Sequence, residues 1–142
     1  MIWFFLVSFL IYSLNITGFR VKGFCLAESC IKDEPQDIPF WALYAASIVM
    51  MFVNPAVGQW MLLGFFILGT IVLFFTTVKY MIFPNENKIK GYNKYFSKTH
   101  HIIKPSDTKL VPDTFHIALL ALVPSNLIMV IIYIFVSAGR IS

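Results

Sequence analysis

Residues 38–83 read "IPFWALYAASIVMMFVNPAVGQWMLLGFFILGTIVLFFTTVKYMIF", with Lys79 as the only charged residue among 46 positions. A membrane-spanning helix needs roughly 20 apolar residues to cross about 30 Å of hydrocarbon. This run is too long for one such helix and right for two, with Asn54-Pro55 placed where the chain would turn. Residues 2–19 and 115–138 are of the same character and hold no Asp, Glu, Lys or Arg. The pattern predicts an all-α integral membrane fold with four transmembrane helices, at about 2–19, 38–53, 55–83 and 115–138. The whole chain, 1–142, then forms a single polytopic membrane domain with two polar loops, 20–37 and 84–114. The composition agrees: 58% hydrophobic and only 13% charged residues leave no material for a water-soluble core domain.

The first run has no basic residue ahead of its apolar stretch, whereas a secretory signal normally carries a positive n-region. An uncleaved first span is therefore expected; the small residues of "CLA" at 25–27 lie too far downstream to serve as its cleavage point.

The basic residues orient the frame. The loops 20–37 and 79–114 hold Arg20, Lys22, Lys32 and the seven lysines from Lys79 to Lys109, and the opposite side holds only Arg140. Cytoplasmic loops are enriched in Lys and Arg, so both loops are expected in the cytoplasm and both termini outside it. Trp3 and Trp60 then fall at one membrane face and Trp41 at the other, where amphipathic rings settle. A prokaryotic cytoplasmic membrane is the expected location, with an organelle inner membrane as the alternative, because Phe, Ile, Tyr, Asn and Lys are plentiful, as in AT-rich genomes.

Asp37 starts the second helix, with Pro39 in its first turn. Asn54 is a good N-cap and Pro55 a good first helical residue, so the third helix is expected from Pro55 to about Phe83. Asn54-Pro55-Ala56 is also the tripeptide that lines aquaporin pores. Those pores pair two such motifs on two half-helices, and this chain has one, so the expectation is a turn. The fourth helix starts at Asp113-Thr114 and contains Pro124-Ser125-Asn126. Proline removes a backbone donor and predicts a kink. Ser125 and Asn126 can satisfy freed carbonyls, and an amide near mid-bilayer is expected to face another helix. Ala42 and Ala46, four apart, form a small-residue face suited to helix association.

The segment "NENKIKGYNKYFSKTHHIIK" covers residues 85–104. Ile89, Tyr92, Phe96 and Ile103 recur at helical spacing, which predicts an interfacial amphipathic helix within the loop. Its rings Tyr92 and Phe96 would sit among headgroups, with Lys88, Lys90, Lys94 and Lys98 toward an anionic inner leaflet. An irregular solvated loop is the alternative. No nucleic-acid partner is expected for so short a tethered segment.

Catalytic patterns are lacking. Cys25 and Cys30 form a C-x4-C pair, expected as free thiols on a reducing cytoplasmic side, or as a disulfide if the orientation is inverted. His100, His101 and His116 lack the spacing of a haem or metal site. No metal or other cofactor is expected. No Asp or Glu lies inside a span, whereas proton-coupled carriers and pumps normally need one. The leading expectation is a non-catalytic accessory subunit that contacts larger integral-membrane subunits. A small oligomeric transporter or channel, lined by Asn54, Gln59, Ser125 and Asn126, is the second. A membrane-embedded enzyme acting on lipid or quinone, using Cys25, Cys30, His100 or His101, is the third.

Overall fold

The computed structural model describes residues 2–28 and 37–139. Its main elements are α1 (Ile2–Thr17), a hairpin of β1 (Phe19–Val21) and β2 (Phe24–Ala27), α2 (Asp37–Val53), α3 (Pro55–Leu73), a π-helical segment (Phe74–Val78), α4 (Lys79–Ile82), α5 (Glu86–Tyr95) and α6 (Thr114–Ala138). The chain is mostly helical. Two helical runs are long and apolar enough to cross a membrane: Pro55–Ile82, of 28 residues, and Thr114–Ala138, of 25. The helices Ile2–Thr17 and Asp37–Val53 are apolar but shorter, about 24–26 Å at 1.5 Å per residue. In each long run only 22% of the most apolar window is buried inside the protein. The core helix of a soluble protein would bury most of such a window, so the outward apolar surface suits lipid.

Three features depart from the sequence reading. First, the fold is not all-α. Gly18, in the left-handed region with φ 72°, ends α1, and its N–H donates to Leu14 O at 2.8 Å. The chain then makes an antiparallel hairpin through Lys22 (φ 45°) and Gly23 (φ 88°). Positive φ at both central residues matches the twist of the flanking strands. Second, the run from Pro55 is not one α-helix to Phe83; the π segment at 74–78 interrupts it, and it stops at Ile82. Third, the loop helix ends at Tyr95, so Ile103 lies outside it and is exposed.

Local chemistry explains the α2–α3 hairpin. The Asn54 side chain accepts from Val57 N–H at 3.2 Å, and Pro55, at N1, forfeits only a donor that has no helical partner anyway. Gly58, one turn later, is buried; a Cβ there would stand 2.7 Å from Met51 Cα. The missing side chain is what lets the two backbones close so tightly.

The core is largely aromatic. Tyr44 stacks on Phe65 with centroids 4.7 Å apart and meets Phe66 edge-on at 5.3 Å. The Tyr44 hydroxyl donates to Phe5 O at 3.0 Å, tying α2 to α1. Helix α6 runs through Pro124 without a break in the helix. Beside the proline, Ser125 Oγ donates to Ala121 O at 2.7 Å, and Asn126 Nδ2 donates both to Leu122 O at 2.7 Å and to Ser8 Oγ of α1 at 3.0 Å.

Candidate functional site

Where α1 ends and α2 begins, α1, α2, α3, α5 and α6 together enclose a cavity of about 440 Å³. That volume falls in the range of small-molecule pockets. Much of its lining is apolar or aromatic: Tyr12 of α1, Phe40 of α2, Phe65 and Val72 of α3, Leu119 and Val123 of α6. Polar groups gather elsewhere on its lining: Asn15, Glu28, Asp37, Thr76, Thr77 and His116.

The π segment supplies both threonines. A π turn widens the helix by one residue and redirects the side chains after it; such turns are frequent at functional sites. Here Thr77 is buried, while Thr76 Oγ1 returns to Val72 O at 2.8 Å.

At the α1–α2 edge Asn15 Nδ2 donates to Asp37 Oδ2 at 2.6 Å. Glu28, just after β2, pairs with Arg20 of β1 at 2.9 Å, so the hairpin brings a carboxylate to the cavity.

On the α6 side Asp113 caps the helix. Its Oδ1 accepts from the His116 backbone N–H at 2.8 Å and lies 2.7 Å from His116 Nδ1. A carboxylate at that distance selects hydrogen on Nδ1 of the imidazole ring. Burial works against the charge on Asp113, but the hydrogen bonds and charge of His116 outweigh it and hold the carboxyl below its ordinary range. Helix α5 closes this side. The Tyr92 hydroxyl accepts from Asp113 N–H at 3.2 Å, and the Phe96 ring meets His116 edge-on at 4.7 Å. Burial, and then the charge of Asp113, push the Tyr92 phenol well above its ordinary range.

The residues singled out from sequence are distributed unevenly around this cavity. Tyr92 and Phe96 line it, whereas Lys88, Lys90, Lys94 and Lys98 are exposed. Asn126 is fully buried between α6 and α1, below the cavity, and Ser125 is exposed. Ala42 and Ala46 are exposed on the outer side of α2. Cys25 is a buried free thiol, and Cys30 lies outside the described residues. His100 and His101 are engaged elsewhere. His100 Nδ1 is 2.7 Å from Thr114 Oγ1, and His101 Nε2 is 3.0 Å from Phe96 O. His116 carries a signal in the sequence, an aspartate three residues before it at a helix start. Among the described residues no three His, Cys, Asp or Glu side chains come together as metal ligands. No protein-family model, curated protein or solved structure matches the chain.

Proposed function

We propose that the chain is a four-span membrane protein serving as a non-catalytic accessory subunit of a larger integral-membrane complex. In this reading α1 and α2, though short, also cross, both termini lie outside the cytoplasm, and the basic loops face an anionic inner leaflet. The observation that carries the reading is the outer face of α2. Ala42, Ala46, Val49 and Val53 follow one another at helical spacing and are all exposed, while Tyr44, Ser47, Ile48 and Met51 on the other face are buried. Small residues let helix backbones approach closely, so this smooth stripe suits a partner helix better than it suits lipid alone. Several hydroxyls within the spans are consumed locally, as when Ser47 Oγ donates to Leu43 O at 2.7 Å and Thr70 Oγ1 to Phe66 O at 2.7 Å. That leaves little polar machinery for chemistry in the membrane. The test is purification of the tagged chain in mild detergent, with a photo-crosslinker at Ala46 or, as control, at exposed Ile128. A larger membrane protein crosslinked from 46 and not from 128 supports the reading. A monodisperse chain crosslinking to lipid from both sites ends it.

A second reading, transport, draws on one feature. Asn126 Oδ1 is buried without a hydrogen-bond partner in the described residues, and Asn126 lines a small void of about 10 Å³. The void shares Tyr12, Phe65, Leu119 and Val123 with the larger cavity. Solute flux in liposomes by the chain alone, lost on Asn126→Leu, would favour this reading over the first.

A further inference from the structure

The chain carries eleven Lys and Arg against seven Asp and Glu, yet the cavity inverts this balance. Two carboxylates, Asp37 and Glu28, are among its lining groups, and no lysine or arginine is, among the described residues. Glu28 is already paired with Arg20. Asp37 meets the neutral amide of Asn15 and takes part in none of the ion pairs among the described residues. Among the described residues the cavity therefore carries one carboxylate without a cation beside it, in an otherwise basic chain. Three phenol rings, Tyr12, Tyr92 and Tyr95, and three phenyl rings, Phe40, Phe65 and Phe96, share the same cavity. Aromatic faces attract cations, most strongly alkylated ammonium groups that are cheap to desolvate. An anion would find the opposite: carboxylates and the negative faces of rings. The buried apolar side chains Phe65, Leu119 and Val123 on its lining suit a hydrocarbon portion.

We infer that this cavity is a binding site for an ammonium amphiphile, its cationic head against Asp37 and the aromatic rings and its apolar portion along α3 and α6. A free single-tailed ammonium compound is the occupant the volume favours, since 440 Å³ holds a drug-sized molecule and is too small for a two-tailed lipid. The head needs no metal or covalent step; charge and ring contacts hold it. The site belongs to this chain alone, so it stands or falls independently of any partner subunit.

The experiment uses the full chain in nanodiscs of phosphatidylglycerol, with radiolabelled decyltrimethylammonium below its micelle-forming concentration and empty discs as background. The expected result is saturable binding of one molecule per chain. Decyl sulfate should fail to compete. The isosteric Asp37→Asn should weaken binding by about tenfold or more, because the partner charge for a partly desolvated cation is gone. Uptake no greater than in empty discs overturns the inference, and so does equal competition by decyl sulfate on the unmodified chain, which needs no variant to fold. Repeating the titration in discs half phosphatidylethanolamine separates the sources. Unchanged affinity assigns the site to a free amphiphile, and competitive loss assigns the same ammonium chemistry to a lipid headgroup.

Discussion

Asn126 of α6 donates a 3.0 Å hydrogen bond to Ser8 of α1, joining residues 118 positions apart in the chain, and both side chains are at most 2% exposed. This bond links the first helix to the last in the interior of the protein, shielded from bulk solvent.

Its strength can be measured by a double-mutant cycle of Ser8→Ala and Asn126→Leu, unfolding the chain in mixed micelles. Interhelical hydrogen bonds in membranes average about 0.6 kcal/mol and reach about 1.7. A coupling energy in that range is expected, with Asn126→Leu alone costing about 1–2 kcal/mol. Zero coupling would mean that the two side chains merely coexist.

The glycines of α3 should answer oppositely to the same change. At Gly58 a Cβ would lie 2.7 Å from both Met50 C and Met51 Cα, backbone atoms that cannot step aside. Gly58→Ala is expected to destabilise by about 1–3 kcal/mol through overpacking. At Gly64 nothing lies within 4 Å of that position, so Gly64→Ala should be neutral or stabilise by up to about 1 kcal/mol. Thermal unfolding of both variants decides it; equal effects would remove the special role of Gly58.

Asp113 gives the stability a signature at acid pH. Its folded-state pKa lies below the ordinary value of 3.8 because of His116, despite burial. A carboxyl with a depressed folded pKa stabilises the fold above its unfolded pKa, and that contribution fades as pH falls toward the folded value. Asp113→Asn keeps an N-cap but cannot titrate. The melting temperature of the unmodified chain should therefore fall relative to the variant as the pH drops through and below the ordinary carboxyl value of 3.8, and curves that stay parallel would contradict the assignment.

Orientation is tested by cysteine labelling in a Cys25→Ser, Cys30→Ser background. In the proposed orientation the loops 20–37 and 79–114, which hold the excess of Lys and Arg, face the cytoplasm. A membrane-impermeant reagent added outside should modify Ser142→Cys and spare Lys94→Cys. The reverse pattern would invert the frame and move the α5 lysines to the outer face.

The parts legible in the sequence are those governed by neighbours in the chain. Asn54 and Pro55 could be read as cap and first turn because both roles are filled within three residues, as the bond to Val57 N–H shows. The helix around Ile89 and Tyr92 could be found from its spacing. Its outlook could not: the Tyr92 and Phe96 rings turn toward His116, and that depends on where α6 starts in space. The hairpin escaped because its strands hold three and four residues, too few for an alternation to register, and because Lys22-Gly23 is a weaker turn signal than Asn-Gly. The π turn left no trace in composition; "FFTTV" is as compatible with an α-helix. The cavity is assembled from five helices and the end of a strand, and no local pattern could announce it. Only Asp113-x-x-His116 hinted at a polar edge there.

The π segment at 74–78 also makes the chain length-sensitive at one point. Each α-helical residue turns the helix by about 100°. Losing one residue between Phe74 and Val78 would let the segment relax to a plain α-helix, at little cost in hydrogen bonds. The widened turn would close and the redirection of Thr76 and Thr77 toward the cavity would be lost, while Lys79 and the start of the basic loop kept nearly the same bearing. A neutral-looking deletion in an apolar stretch would thus detune a site built by residues far along the chain. Length there should vary less among descendants of this gene than the apolar letters themselves, which could interchange Phe, Val and Leu freely.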